Sequence, residues 1–467
     1  MAEFCRRQEP RWQILPKFRT AIFRSKAVNA VTEQIIQAAR RALLSAPPVG
    51  DRAYLSFAGN LREHLARRWP EIDKANATDA GRATERGLGD SVVSRLRLTD
   101  AHADFLTRLI ESLLRELPEV ATPGAPVHGI GQMVSRRVPR PIGVVLMIYE
   151  ARPTVTVEGA LVSVCAGNAT LLRGGSELAA TNAVLRDVLR GSLVDAGLPA
   201  DLVQVLDDHD RAQLRELLRR DDAIDVLIPR GSPSLVDVCR STSRIPLIVG
   251  GGGVNHIYLD DAADPELAVT LVLDSKLPDP AGCTALEMAL VNERIAAAFL
   301  AALCERLPRV PADLSEGLRL RLHPSLHPLV PPALHRLATV ETLASHDDGR
   351  EFSERTLAIR PVGGVDDAIE HIRRFGTGHT EAIVSPHAAT IERFCRSVDA
   401  AAVVVNGSLR LHDGPTIGLG GAELAISTGR LHVRGPVTLR DLLTYSWRIE
   451  GNGTVRFAET GATGEAG

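Results

Sequence analysis

Apolar residues recur at three- and four-residue spacings through Val31–Leu44, Arg52–Ala66 and Asp100–Leu114, which predicts amphipathic helices. Pro47 and Pro48 break the first, and Pro118 is expected to end the last. From Gly143 the rhythm changes. Apolar runs of strand length at Gly143–Ile148, Ala169–Leu172, Val203–Leu206 and Ala223–Ile228 alternate with helical stretches at Leu178–Asp195 and Arg211–Arg220. A short helix is expected after Ser232, and Ile245–Val249 runs into four glycines, Gly250–Gly253. Strand, glycine turn and helix in repetition predict a parallel, doubly wound sheet of the dinucleotide-binding kind. Further on, Ala296–Leu307 and Asp366–Phe375 read as helices, and Ala382–Ser385 and Ala402–Val405 as strands. Pro308–Leu337 reads as helical turns on a surface insertion.

Two segments alternate without belonging to either run. Val127–Val138 is short and basic, and Leu439–Arg456 alternates around Tyr445, Trp447 and Ile449 before turning at Gly451-Asn-Gly453. They are expected to pair into one flap. An isolated ribbon is marginal in water, so its apolar residues call for cover by a second subunit.

A chain of 467 residues exceeds one ordinary core, so two or three domains are expected. The net charge of −3 gives no general attraction to nucleic acid or to an acidic membrane. Cys5, Cys165, Cys239, Cys283, Cys304 and Cys395 show no CxxC or Cys/His spacing, which fits reduced cytoplasmic thiols. The histidines His323, His327, His335 and His346 lack a ligand spacing, so no metal is expected. Residues 1–26 carry seven Arg or Lys against two Glu and read as a solvated extension with no assigned function.

The chemistry gathers at Asp274–Glu287. Cys283 follows a Pro/Gly-rich loop and enters the apolar run Ala285–Val291, read here as the start of a helix whose dipole would favour thiolate. The plain alternative is a buried structural thiol. Upstream, Arg173-Gly174-Gly175-Ser176 and Arg230-Gly231-Ser232 each follow a strand and can hold a phosphate or ribose. A G-x-G-x-x-G fingerprint is missing, and tight strand–helix turns explain either loop equally well.

Specific motifs then add a resemblance. Ile148-Tyr-Glu-Ala-Arg-Pro153, Leu172-Arg-Gly-Gly-Ser-Glu177, Leu227-Ile-Pro-Arg-Gly231, His256-Ile-Tyr258, Lys276 with Cys283, Gly376-Thr-Gly-His379, Val405-Asn406 and Leu431-His432 with Arg434-Gly-Pro436 stand in register. The chain resembles the gamma-glutamyl phosphate reductases of the aldehyde dehydrogenase superfamily, from about residue 30 to 456. The resemblance implies an aldehyde-dehydrogenase-like α/β fold, with two doubly wound domains and a β-hairpin oligomerisation flap. Residues 27–125 and 141–258 would bind NADP, 259–430 would carry catalysis, and 126–140 with 431–467 would form the flap.

By that resemblance Cys283 attacks an acyl phosphate, phosphate leaves, and hydride from NADPH resolves the thioester to an aldehyde. Lys276 is the second catalytic candidate. Arg173, Gly174, Gly175, Ser176, Arg230, Gly231 and Ser232 are expected at the cofactor, and Glu150, Arg152, Asn406 and Arg410 at the substrate. Glutamate kinase, which supplies the acyl phosphate, is an implied partner, as is a homodimer or homotetramer; no nucleic acid or membrane is. Departures from the family pattern fall at Thr154, Asn255, Asp274 and Asp279, and Asp279 reverses a charge usually supplied by arginine. A different acyl phosphate or a carrier-bound thioester therefore stays open, as does a weakly catalytic scaffold.

Overall fold

The computed structural model describes residues 16–207, 211–419 and 422–455. Residues 1–15 of the expected extension lie outside them, and Pro16 opens a helix, α1 (Pro16–Ser45). α2 (Arg52–Glu85), α3 (Asp90–Leu96) and α4 (Asp100–Val120) follow. Asp51 caps α2, its carboxylate accepting from the Ala53 N–H at 2.9 Å. α2 runs 19 residues beyond the expected Ala66, because polar Asn76 and Asp79 hide a second buried face. Asp79 accepts from the Thr181 and Ala180 N–H groups at 2.7 and 3.1 Å, at the start of a later helix. Pro118 sits inside the last turn of α4 rather than ending it.

The chain then leaves the globule as β1 (Val127–His128) and β2 (Val134–Pro141). A four-stranded parallel sheet follows, β3 (Val144–Tyr149), β4 (Ala169–Arg173), β5 (Val203–Val205) and β6 (Val226–Arg230), in the order β5-β4-β3-β6. Its helices are α5 (Thr154–Cys165), α6 (Ala179–Asp195), α7 (Arg211–Leu217) and α8 (Pro233–Thr242). α5 is buried almost all round, which is why no amphipathic rhythm announced it.

The second unit is a seven-stranded parallel sheet: β7 (Asn255–Leu259), β8 (Leu286–Asn292), β9 (Arg319–Leu322), β10 (Thr339–Thr342), β11 (Thr356–Val362), β12 (Thr380–Val384) and β13 (Ala402–Val405). Its order is β10-β9-β11-β8-β7-β12-β13. α9 (Pro265–Lys276) and α10 (Ala296–Arg306) pack on one face. Neighbouring residues of β7 part company, Ile257 and Leu259 joining that face and Tyr258 the other.

Three expectations need correcting. Ala285–Val291 is not a helix start but β8, buried throughout and paired with β7 and β11. A short apolar run looks alike in both states, and parallel pairing decides it. The segment 308–337 is not wholly an insertion, since β9 contributes Leu320 and Leu322 to the core. The first unit does not extend to 258, because β7 pairs with β8 and β12 of the second sheet.

After two short strands, β14 (Ile426–Ser427) and β15 (Gly435–Pro436), the chain ends its described course as β16 (Leu443–Glu450). β16 pairs antiparallel with β2, from Leu443 opposite Pro141 to Glu450 opposite Val134. The two alternating segments thus form one three-stranded flap. Among the described residues, no helix is long and apolar enough to cross a membrane.

Candidate active site

Cys283 is half-buried, on a turn between the end of α9 and β8. Gly282 N–H bonds to Asp279 O at 3.1 Å and Ala285 N–H to Gly282 O at 2.9 Å, so the thiol sits in two consecutive turns. The glycine stretch packs directly against it. A Cβ at Gly253 would overlap the Cys283 carbonyl, which explains a glycine there. Without a following helix the thiolate gains no helix dipole. Burial pushes the thiol up, opposed first by the Arg230 guanidinium and then by Arg152, while Glu423 and Glu351 add to the rise.

Arg230, at the end of β6, therefore acts on Cys283 as well as opening the loop that leads into α8. Its own charge is disfavoured by burial and supported by Glu158 of α5, Cys283 and Glu423. Glu423 was not singled out in the sequence. Its carboxylate accepts from the Gly414 N–H at 2.7 Å, and burial pushes it up to about 6. Glu158 is buried and also pushed up by desolvation. Arg230, Arg152, Glu423 and Glu351 thus act on the thiol, and Glu158 acts on Arg230.

The remaining candidates divide. Glu150, expected at the substrate, accepts from the Ser232 N–H at 2.9 Å and lies against Gly231. Ser232 caps α8, its Oγ accepting from Leu235 N–H. Arg173 is buried at the end of β4, where its charge acts on Cys239 of α8. Gly174, Gly175 and Ser176 turn the chain from β4 toward α6, with Ser176 exposed. Glu177 accepts from the Ala151 N–H at 2.8 Å and holds Ala151 at a φ of 44°. These groups lie at the carboxyl ends of β3, β4 and β6, where a doubly wound sheet binds dinucleotides.

Lys276, at the end of α9, is 1% exposed and points away from solvent. Its Nζ donates to Glu287 Oε2 at 3.0 Å and to Pro280 O at 3.4 Å, closing the loop that carries Cys283. Burial pulls this lysine down and pushes Glu287 up to about 8, while each charge opposes the other's shift. Asn406 spends both ends of its amide on Ser385, accepting from its N–H at 2.9 Å and donating to its carbonyl at 3.0 Å. Arg410 faces Asp279, with Nη1 3.7 Å from Oδ2, and that carboxylate packs over Gly282 beside the thiol.

A family profile described as the aldehyde dehydrogenase family matches residues 20–316. A gamma-glutamyl phosphate reductase of Symbiobacterium thermophilum is 40% identical over 437 residues, 92% of this chain and 100% of that one. The chain belongs to the aldehyde dehydrogenase family. A gamma-glutamyl phosphate reductase of Roseiflexus castenholzii is 42% identical over 395 residues, 83% of this chain and 89% of the relative. The crystal structure of gamma-glutamyl phosphate reductase from Thermotoga maritima superposes with a TM-score of 0.83 at 33% identity, covering 91% and 100% of the two chains. Within the aldehyde dehydrogenases the chain thus groups with the gamma-glutamyl phosphate reductases, as oxidoreductases acting on an aldehyde with a nicotinamide cofactor.

A cavity of about 710 Å³ opens between α4 and the C-terminal loops, lined by Arg115, Leu419, Val433, Arg434, Pro436 and Arg440 among others. Pro436 also borders Gly414, whose N–H holds Glu423, so the cavity adjoins the charged cluster. Glu423 carried no motif in the sequence, because long-range packing alone brings it to Cys283, and Asn255 stood out there only as a departure from the family pattern. For metals, Asp260, Asp261 and His387 have ligand atoms in mutual reach. Asp260 already accepts from Tyr258 and Ser385 hydroxyls, and Asp261 pairs with Arg294.

Proposed function

We propose that the protein reduces L-glutamyl 5-phosphate to L-glutamate 5-semialdehyde with NADPH, a step of proline biosynthesis. The observation that carries this reading is a half-buried Cys283 whose thiolate Arg230 and Arg152 favour, packed against the glycine loop Gly250–Gly253, which itself holds no carboxylate. Cys283 as thiolate attacks the acyl carbon, the C–O bond to phosphate breaks, and phosphate departs with the electron pair. Arg230 and Arg152 offset charge at the thiolate and at the leaving phosphate. The Cys283 N–H is a candidate donor to the oxyanion. A nicotinamide cofactor held at the ends of β4 and β6 would supply hydride, and the thioester carbon on Cys283 would then become a hemithioacetal alkoxide. Collapse of that alkoxide releases the aldehyde and returns the thiolate.

The donors at the ends of β4 and β6 suit an anionic dinucleotide. The Arg173 guanidinium, the exposed Ser176 hydroxyl and the α8 N-terminus capped by Ser232 would hold it. Arg173→Ala should raise the KM for NADPH at least tenfold while changing that for NADH less than threefold. Equal loss for both would mean that Arg173 only supports the strand end. A cytoplasmic setting supplies the reduced thiol and cofactor this reaction needs. The kinase that makes the acyl phosphate is the partner its lability favours.

The deciding assay is the reverse reaction, glutamate semialdehyde with NADP and phosphate. Robust turnover supports the reading, and turnover only when coenzyme A replaces phosphate would overturn it. A second reading, another acyl phosphate, draws on the Asp279–Arg410 pair, which partly neutralises a cation expected to meet the substrate. It predicts weak glutamate semialdehyde activity but intact phosphate dependence with other aldehydes.

A further inference from the structure

Asn255 is fully buried at the first position of β7. It pairs with Leu286 while His256 pairs with Met288, so Glu287 is the extra residue of a bulge. Bulges re-aim side chains beside functional sites, and this one turns Asn255 toward the nucleophile. Its Nδ2 donates to the carbonyls of both Cys283 and Ala285, each at 2.8 Å. Its Oδ1 accepts from the Thr380 N–H at 3.2 Å. Two carbonyl partners fix which end of the amide is the donor. Beyond Thr380 the chain of contacts continues, since Thr380 Oγ1 meets His379 Nδ1 at 2.7 Å and His412 Nδ1 at 2.8 Å. His412 closes the short turn Leu409–Leu411 that carries Arg410.

We infer that Asn255 is a positioning residue for the nucleophile: its amide brackets the two carbonyls flanking Thr284 and, through Thr380 and His412, ties the turn of Cys283 to the loop of Arg410. A side chain with one donor could satisfy one carbonyl, leaving the other free to rotate and carry the Cys283 Cα–Cβ direction with it. Misplacement of about 1 Å at a reacting atom costs on the order of a hundredfold in rate. The inference rests on Cys283 being the nucleophile of the proposed function, and on nothing about the acyl group.

The test pairs turnover with iodoacetamide alkylation of Cys283, measured against pH in the absence of substrate. Asn255→Ala should lower kcat by ten- to a hundredfold with the KM for NADPH within twofold, and should move the midpoint of the alkylation profile. Asn255→Ser, which keeps one donor, should recover part of the loss. Thr380→Val keeps the Asn255 contact and removes the hydroxyl link, so it should raise the KM for the acyl substrate and leave the alkylation profile in place. This milder change keeps the idea testable should Asn255→Ala fold poorly. A lowered melting temperature with wild-type kcat per alkylatable site and an unmoved profile would reduce Asn255 to a core residue. Because alkylation needs no substrate, that outcome is distinct from an error in the substrate, which would show as inactive wild-type enzyme with a normal profile.

Discussion

A thiol that burial pushes up and two guanidinium groups pull down is set by the balance between them. Cys283→Ala should abolish reduction and site labelling, whereas Cys239→Ser and Cys395→Ser should leave turnover within a few-fold of wild type. Near-normal turnover of Cys283→Ala would end the assignment. Arg230→Met tests the balance itself. Loss of the principal opposing cation leaves burial unopposed, so the alkylation midpoint of Cys283 should rise and its rate at pH 7 fall. At this scale the sequence was informative where chemistry and backbone coincide. The turn that holds Cys283 was legible from its flanks, as were the arginine–glycine turns. Glu423 was not, since it is an ordinary residue until packing places it near the thiol, and Asn255 showed only as a departure whose contacts the sequence could not give. The helix expected after Cys283 failed for a related reason, because parallel partners on both sides decide the state of an apolar heptapeptide.

Among elements, the loop from Leu277 to Ala285 is tied at its base by a buried ion pair. Lys276 and Glu287 meet across its base with 1% exposure each, and Glu287 Oε2 also accepts from the Phe352 N–H at 3.1 Å. Removing one partner of a buried pair leaves an uncompensated charge, typically about 3–5 kcal/mol of stability. Lys276→Met should therefore lower the denaturation midpoint strongly, and adding Glu287→Leu should recover most of it. The double variant separates two roles for Lys276. Stability regained together with activity assigns it to the loop, whereas stability regained with activity still lost makes it a participant in the chemistry. The sequence placed Lys276 seven residues before the cysteine but could not show it turned inward, because the direction follows from where α9 ends against β8.

Over the whole molecule, folding keeps His371, His379 and His412 neutral where the unfolded chain would protonate them. Burial lowers His371 and His379 to about 3 and His412 to about 4, from an ordinary value of 6.5. Between pH 6.5 and 4 the unfolded chain binds the extra protons, so stability is full above that window and falls as pH drops through it. The slope approaches about 1.4 kcal/mol per pH unit for each histidine. Because Glu287 and Glu423, pushed up to about 8 and about 6, act in the opposite direction over the same range, the test is a difference: between pH 7 and 5 in urea, wild type should lose more stability, or gain less, than His412→Asn, and equal slopes would contradict it. The flap poses the last question of scale. Tyr445, Trp447 and Ile449 of β16 are 49, 49 and 61% exposed on a ribbon of three strands. The Arg137 guanidinium lies 4.5 Å from the Tyr445 ring centroid and 5.2 Å from that of Trp447, which rigidifies the ribbon without covering it. The ribbon reaches out on β2 and β16 from the first unit, and apolar side chains of this size are costly to leave in water. A second copy of the chain is the occupant proposed for that surface. Deleting Thr444–Arg456 should reduce the mass seen by light scattering from dimer or larger to monomer, with a lower melting temperature. Trp447→Glu is the gentler version, placing a charge in the proposed contact while leaving strand pairing intact. Full-length protein that stays monomeric at micromolar concentration would show that the flap serves its own subunit.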